Sequence, residues 1–576
     1  MDDRPPAFVA PRDSGQPSDE LPHWDLASLY AGPEDPALEA DLDLLETEAA
    51  CLGGARGGLD DPGEFSRREK PAAVSRRATR YVELLQAQGC DDPALRLRVE
   101  KANASLRPRL LGFDLRLGRL TALPPGLARF EPFFSRARRL APSRLSTEDE
   151  LAAAELDETS RQARLQTRTL ASMRLGRPPG SVDQLRSRLA SADPEERRRS
   201  AELLGRGLAS RREILAGCLI STARARARMR RLRGLNHWLD ETCLEQGLPP
   251  ELVELAARAV IHHRDAARRF YDLKRRVLGL DTLHEHDRLA PWPGARRRFT
   301  WTQAVQLVLE AFDRASPGLG RAARLVLDGR RVLARPHPSG AGGPFCLPAD
   351  QGPAPFVRLN FRGALHDVVT LAHELGHAAH HVLSAPQGPL QDTAAPVTAE
   401  TMACLAEELL HQRLQDLELP GLVLHRLERT MTLVFRQTAL LKLEAGMHQA
   451  ADAGGLAPHD LDRLWRDARQ EVYGESLPLG SGSVHDWALT PHFHFSPGYV
   501  AAYILGRLAA ADLAARLARR PSQEQDLLKV MRQGLDLGAA DQFRSLGLDP
   551  DNPGFIDASL RECSRLVSEA ADNTPT

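Results

Sequence analysis

One stretch of the chain, DVVTLAHELGHAAHHVL from Asp367 to Leu383, constrains the fold and the chemistry more than any other. Its small and apolar residues recur at three- and four-residue intervals, and no proline follows before Pro386, so the pattern predicts one helix. His373 and His377 are four residues apart and therefore project from the same face of that helix, about one turn from each other. Glu374 directly follows the first histidine.

This pattern predicts a metal site. Two imidazoles at this spacing can hold a zinc ion, and a glutamate between them can act as the base for a metal-bound water. The alternative is an ordinary helix with ordinary histidines, because with 19 histidines in the chain a chance match has a probability of roughly a few per cent. Burying several histidines and a glutamate in so apolar a helix is costly, however, unless they are paired or metal-bound. We therefore predict one zinc ion held by His373 and His377, with Glu374 as the general base.

A third ligand is expected downstream, because a catalytic zinc usually takes three protein ligands and leaves one position for water. Residues 397–414, VTAETMACLAEELLHQRL, predict a second helix with Thr398 as its N-cap and Glu400 in its first turn. Glu400 is the predicted third ligand. Glu407 lies seven residues further along the same face, where it could hydrogen-bond a liganding histidine. The alternative for Glu407 is an exposed helix charge.

An aromatic segment near the C-terminal end, PHFHFSPGYVAAY, is the candidate for stabilising negative charge. It contains His492, Tyr499 and Tyr503, and the two tyrosines are four apart and share a helix face. Zinc-dependent peptide hydrolysis develops negative charge on the carbonyl oxygen, and hydroxyl or imidazole donors stabilise it. The alternative is aromatic core packing.

Composition excludes several other classes of function. The net charge of −1 gives no field that would favour nucleic acid or an anionic membrane, and no apolar run approaches the roughly 18–20 residues that span a bilayer. An arginine-rich run, residues 222–234, lacks interleaved aromatics and favours a solvated helix face or ion pairs over nucleic-acid binding. The acidic, proline-broken N-terminus is not typical of a secretory signal, and seven scattered cysteines without a Cys-x-x-Cys pair favour reduced thiols. We expect a cytoplasmic protein without nucleic-acid or membrane partners; the oligomeric state stays open.

The sequence also predicts the domain organisation. Residues 1–21 are expected to be a disordered tail, residues 22–192 an N-terminal helical lobe, and residues 193–576 the catalytic domain, since Ala192–Glu196 is typical of a helix start. A small sheet is expected just before the histidine helix. Residues 325–336 predict two short strands around Asp328-Gly329, and residues 355–361 predict a further strand. A strand at the edge of such a sheet could pair with an extended peptide without regard to its sequence.

Together these segments resemble the thimet-oligopeptidase family of zinc metallopeptidases, and more closely its oligoendopeptidase F branch. The similarity extends over most of the chain. The segments that carry it are WDLASLY (24–30), YDLKRRVLGLDTLHEHDRLAP (271–291), GGPFC (342–346), TLAHELGHAAH (370–380), AET (399–401) and PHFHFSPGY (491–499).

The resemblance implies a mainly α-helical, two-lobed body with a deep substrate channel, a small β-sheet beside the zinc-binding helix and one zinc ion on the channel floor. It implies endopeptidase cleavage of short unstructured peptides. By motif match, the implied zinc ligands are His373, His377 and Glu400, the general base is Glu374, and the oxyanion donors are His492 with Tyr499 or Tyr503.

The chain departs from the family at three places. Ala403 stands where the family has a serine, Gly498 where an aromatic is common, and Ala501-Ala502 where polar or aromatic residues are usual. Two other functions stay open: a peptidyl-dipeptidase or carboxypeptidase of the same architecture, which needs a cationic anchor for the substrate carboxylate, and a non-catalytic peptide-binding relative.

Overall fold

The structure is a computed structural model that describes residues 20–51, 62–156, 158–293, 297–336, 343–349, 352, 354–535 and 537–573. The predicted N-terminal tail, residues 1–21, lies almost wholly outside the described residues. In the part that is described, no helix is long and apolar enough to cross a bilayer.

In the residues that the structure describes, the fold is mainly α-helical with one small sheet, which confirms the predicted class. The helices are α1 (Pro36–Cys51), α2 (Pro62–Gln88), α3 (Pro93–Gly118), α4 (Glu131–Leu140), α5 (Thr147–Leu156), α6 (Glu158–Ser172), α7 (Val182–Arg188), α8 (Pro194–Ser210), α9 (Arg212–Leu232), α10 (Asp240–Gln246), α11 (Pro250–His262), α12 (Arg264–Val277), α13 (Trp301–Ala315), α14 (Pro317–Asp328), α15 (Leu365–Ser384), α16 (Pro396–Gln415), α17 (Leu422–Thr430), α18 (Gln437–Asp452), α19 (Pro458–Tyr473), α20 (His492–Phe495), α21 (Val500–Arg519), α22 (Glu524–Arg532), α23 (Ala539–Ser545) and α24 (Gly554–Asn573).

The sheet has three short strands in the order β1-β3-β2: β1 is Val332–Leu333, β2 is Phe345–Leu347 and β3 is Phe356–Arg358. The central strand β3 runs parallel to β1 and antiparallel to β2, with Cys346 opposite Val357. The strand β2 therefore forms one edge of the sheet. Both β2 and β3 pack against α15, so the small sheet lies beside the histidine helix as predicted.

The prediction of two strands around Asp328-Gly329 is wrong. Helix α14 runs through to Asp328, and within residues 325–336 only the two residues of β1 form a strand. Ser316 caps α14 by accepting the N–H groups of two residues in its first turn, and Pro317 begins the helix. Gly329 ends this helix and does not turn a hairpin, because the preceding apolar residues bury one helical face.

Among the described residues, three apolar cores hold the molecule together. The largest extends from Met173 to Val567. The two smaller ones lie among residues 24–106 and residues 65–134, and each is completed by residues from further along the chain: Leu333, Ala349 and Phe356 in the first, and Leu390 in the second. The N-terminal helices therefore pack against the sheet and against the loop that follows α15. The domain boundary at residue 192 stays a prediction; Met173 and Val182 pack in the large core.

Helices α15, α16 and α21 meet at two glycines. A Cβ at Gly376 of α15 would lie 2.9 Å from Ala403 Cα of α16, and a Cβ at Gly506 of α21 would lie 2.9 Å from the backbone carbon of Glu400. Only glycine permits so close an approach. The prediction of Thr398 as an N-cap is wrong: α16 begins at Pro396, and the Thr398 hydroxyl donates to Gln542 at 2.6 Å.

Candidate active site

The three predicted metal ligands come together between α15 and α16. The Nε2 atom of His373 lies 3.7 Å from Glu400 Oε2, and the Nε2 atom of His377 lies 3.9 Å from Glu400 Oε1. The two imidazole rings are 4.8 Å apart and nearly perpendicular. The sequence spacing therefore brings both imidazoles to one carboxylate on the neighbouring helix.

These donors fit a zinc ion. Bonds of about 2.0–2.1 Å in a tetrahedral arrangement place ligand atoms roughly 3.3–3.5 Å apart, slightly closer than the separations here. The Oε2 atom of Glu400 is buried and has no hydrogen-bond partner, which a cation would correct. Two imidazoles and one carboxylate are also a donor set of catalytic zinc sites, in which three protein ligands leave one position open.

Sequence reasoning missed a thiol beside these donors. Cys404 lies one turn after Glu400 on α16, and donor atoms of Cys404, Glu400 and His373 all lie within 4.8 Å of one another. Burial raises the pKa of the Cys404 thiol, while its hydrogen bond with His373 lowers it. The i, i+4 spacing from Glu400 is the signal that could have found this cysteine.

Glu407 binds His373 through the ring nitrogen that faces away from Glu400. Its Oε1 accepts from His373 Nδ1 at 2.8 Å, which leaves Nε2 facing Glu400. The carboxylate also pairs with Arg429, whose Nε lies 3.0 Å from Glu407 Oε2. Glu407 has no exposed surface, so the alternative of an exposed helix charge is wrong. Burial would raise the pKa of Glu407, but Arg429 and His373 hold it well below its usual value.

Glu374 lies within the same site and has 4 % of its surface exposed. Burial raises the pKa of its carboxyl to about 7, although the neighbouring His373 opposes the rise. A carboxylate with a pKa near neutrality can both accept and return a proton, which is the property of a general base that later acts as an acid.

The aromatic segment meets the ligands from the other side. The Tyr499 hydroxyl donates to Glu400 Oε1 at 2.9 Å. The His492 ring stacks on Tyr499 at 4.8 Å, and its Nε2 lies 3.5 Å from the Tyr503 hydroxyl. Burial raises the pKa values of both tyrosines, so they remain protonated donors. The alternative of simple core packing does not account for the contact with Glu400.

These residues line a cleft with a volume of about 350 Å³. Its walls comprise the edge strand β2 with its flanking prolines, the histidine face of α15, the loop after α15, and the two tyrosines: Pro344, Phe345, Cys346, Pro348, His373, Glu374, His377, His380, His381, Ser384, Asp392, Thr393, Ala394, Ala399, Glu400, Tyr499 and Tyr503. His492 stands behind Tyr499 and is not part of this lining. None of these described lining residues is a lysine or an arginine.

A family model, Peptidase family M3, matches residues 338–562, which contain both ligand helices and the aromatic segment. We call residues 338–562, which match this family model, the M3 region. The M3 region thus includes the edge strand, the cleft and every predicted site residue.

Named relatives agree with this assignment. The chain is 24% identical over 335 residues to an oligoendopeptidase F homolog of Lactococcus lactis, an alignment that covers 56% of this chain and 55% of that protein. It is 24% identical over 331 residues to oligopeptidase PepF of Bacillus subtilis, over 56% of this chain and 49% of that protein. The aligned part spans about half the length of these relatives.

Solved structures extend the likeness in fold to almost the whole chain. Oligoendopeptidase F from Enterococcus faecium superposes with a TM-score of 0.69 at 18% identity, over 93% of this chain and 97% of that one. PZ peptidase A with an inhibitor gives a TM-score of 0.76 at 14% identity, over 95% and 99%. The N-terminal helices therefore share the fold of these proteins, together with the M3 region.

The arginine-rich run, residues 222–234, lies on α9 and just beyond its end, and three of its arginines bind other parts of the protein. Arg226 donates to backbone carbonyls of α20, Arg224 donates to the carbonyl of Leu456, and Arg230 pairs with Asp452. The run is partly buried, which its alternation with alanine did not reveal.

Proposed function

We propose that the chain is a zinc-dependent endopeptidase that hydrolyses internal bonds of short unstructured peptides. The observation that carries the proposal is that His373 Nε2 and His377 Nε2 lie 3.7 and 3.9 Å from the Glu400 carboxylate, in a cleft that Glu374 also lines. The match of the M3 region to a peptidase family model supports it.

The site divides the chemistry among its residues. A zinc ion held by the three ligands would act as a Lewis acid and lower the pKa of a water at its open position. Glu374 accepts a proton from the attacking water and returns it to the departing amine nitrogen. The Tyr499 and Tyr503 hydroxyls donate to the carbonyl oxygen as negative charge develops on it.

The hydroxyl groups of Tyr499 and Tyr503 have different hydrogen-bond partners. Tyr499 already donates to Glu400, so it must exchange that bond for the substrate oxygen. The Tyr503 hydroxyl lies 3.5 Å from His492 Nε2 and interacts with the Tyr499 side chain, so it can turn to the substrate without releasing a metal ligand. This difference favours Tyr503 as the first oxyanion donor and Tyr499 as the residue that orients the ligand.

The edge strand supplies a means of binding peptides of different sequence. The strand β2 lines the cleft with Phe345 and Cys346, and its outer edge pairs with no strand among the described residues. An extended peptide can add to such an edge through backbone hydrogen bonds. Binding would then depend on an extended backbone more than on particular side chains.

The charges of the cleft favour endopeptidase over carboxypeptidase activity. A carboxypeptidase needs a cation for the terminal carboxylate, and the described lining residues include no lysine or arginine. Arg76 approaches the rim, but both of its terminal nitrogens are engaged by Asp392, at 2.6 and 3.0 Å.

Mass spectrometry of the products from one defined nonapeptide, with a free and with an amidated C-terminus, tests the proposal. We expect the same internal cleavage in both, abolished by a chelator and restored by zinc. The variant His377→Ala should lose both the metal and the activity. Cleavage restricted to the free-carboxylate peptide would favour the carboxypeptidase, and chelator-sensitive zinc binding without cleavage would favour a peptide-binding protein.

A further inference from the structure

Side chains from three other helices bind the backbone that leads to Tyr499. In residues 493–498, two carbonyls accept from Arg226 of α9 at 3.0 and 2.5 Å, and a third accepts from the Thr242 hydroxyl of α10 at 2.9 Å. The last N–H, that of Gly498, lies 3.1 Å from each carboxyl oxygen of Glu444 on α18. We call Arg226, Thr242 and Glu444 the backbone clamp.

Gly498 has no room for a side chain. Its φ is +71°, and a Cβ there would lie 2.3 Å from Leu239 Cδ2. The segment therefore makes a tight turn against α10 immediately before Tyr499. Because no side chain at position 498 can anchor this turn, its position depends on the backbone bonds of the clamp.

The buried position of the Glu444 carboxyl is energetically unfavourable. Glu444 has no exposed surface, and burial raises the pKa of its carboxyl to about 8, while the Gly498 N–H and Arg226 oppose that rise. A buried carboxyl is unfavourable unless it forms hydrogen bonds. Its observed hydrogen bond is to the Gly498 N–H, which points to a role at this turn.

We propose that Glu444 is a positioning residue: its carboxyl holds the N–H of Gly498 and thereby keeps the Tyr499 hydroxyl against Glu400. Tyr499 follows Gly498 directly and donates to the ligand oxygen at 2.9 Å. The inference rests on the proposed function, because it assigns Glu444 to the orientation of a group at the peptidase site. Glu444 itself lies outside the cleft lining.

Removal of the acceptor has two consequences. The Gly498 N–H loses its partner in a buried position, and the turn is free to shift. A displacement of about 1 Å in a group near the reacting atoms can lower the rate by about 100-fold. The zinc ligands come from α15 and α16, so the metal should remain bound.

The test compares Glu444→Met with Glu444→Gln. Both side chains approximate glutamate in length, but only glutamine retains an oxygen that can accept from Gly498. Thr438→Val is the control, because Thr438 is fully buried on the same helix and its hydroxyl donates to the carbonyl of Val434, four residues earlier in the chain. Each protein is assayed for kcat and KM on a quenched peptide, for zinc content, and for hydrogen–deuterium exchange of residues 493–499.

We expect Glu444→Met to lower kcat by about 10- to 100-fold with a smaller change in KM, and to speed exchange across residues 493–499. Glu444→Gln should retain most of the activity and exchange as slowly as the parent. Thr438→Val should match the parent in kcat and in exchange rate. Zinc content should equal one ion in all four proteins. If Glu444→Met does not fold, Glu444→Asp, which withdraws the oxygens by one methylene, takes its place with the same expectation.

Parental kcat and parental exchange in Glu444→Met, or equal losses in the Met and Gln variants, would overturn the inference. The exchange measurement tests whether Glu444 holds residues 493–499 in place even if the parent cleaves no peptide. Absence of parental cleavage would instead count against the proposed function.

Discussion

At the scale of single residues, the position of Glu374 leads to a direct prediction. Glu374→Gln preserves the shape of the side chain but removes its ability to accept a proton. We expect the variant to bind zinc as the parent does and to lose about 10²- to 10⁴-fold in kcat. The measurement is cleavage of a quenched nonapeptide together with elemental analysis. Glu213→Gln is the control, since Glu213 has a side chain that is 74% exposed and pairs with Arg212. Near-parental cleavage by Glu374→Gln would contradict the role of base.

The ligand residues could be proposed from the sequence because helix geometry is local. A spacing of four residues places His373 and His377 on one face whatever surrounds the helix, and seven residues place Glu407 on the face of Glu400. The partner of Glu407 could not be predicted, because Arg429 reaches it from another helix, 22 residues away along the chain. The metal-binding and catalytic roles of these residues stay predictions.

At the scale of elements, the predicted helices around residues 367–383 and 397–414 are confirmed, and each begins and ends within two residues of the expected position. Both helices could be predicted because apolar residues recur at helical spacing over many residues. The hairpin at Asp328-Gly329 is wrong because a dipeptide typical of turns is equally compatible with the end of a helix. Only the tertiary packing of α14 distinguishes the two.

The close approach of α16 and α21 makes Gly506 a sensitive position. In Gly506→Val the new Cβ would collide with Glu400 and displace α21, which carries Tyr503, from α16. We expect the free energy of unfolding to fall by about 1–3 kcal/mol and the zinc affinity to fall as well. Denaturant unfolding and competition with a chelator measure the two effects.

The matched control for that substitution is Gly217→Ala in α9. A Cβ at Gly217 meets no atom within 4 Å, so alanine there should stabilise the helix by about 0.5–1 kcal/mol. Equal destabilisation by the two substitutions, or unchanged zinc affinity in Gly506→Val, would contradict the assignment of Gly506 to this helix contact.

At the scale of the whole molecule, a buried ion pair predicts how stability depends on pH. Glu408 contacts Arg507 and Arg426 at 2.5 and 2.6 Å. Although burial alone would raise the pKa of Glu408, these two arginines hold it at about 2. Since the folded-state pKa is below the unfolded value of about 4.5, the contribution is present above pH 4.5 and is lost as the pH falls towards 2.

We therefore expect Glu408→Gln to lower the free energy of unfolding by about 3 kcal/mol at pH 7 and by much less near pH 3. Denaturant unfolding of parent and variant at both pH values measures the difference. A variant whose deficit stays constant between pH 7 and pH 3 would show that Glu408 is not ionised in the folded protein.

The two smaller cores combine N-terminal helices with later segments, and they therefore determine which part of the chain can fold alone. The core of residues 24–106 also contains Leu333, Ala349 and Phe356, and the core of residues 65–134 also contains Leu390. Arg76 of α2 in addition neutralises Asp392 at the rim of the cleft. A truncated gene product that retained only residues 338–562 would expose Ala349, Phe356 and Leu390 and leave Asp392 unpaired. Truncation at residue 338, or at the predicted boundary at residue 192, would therefore yield an aggregation-prone fragment, and the N-terminal helices must be co-expressed if the cleft is to form.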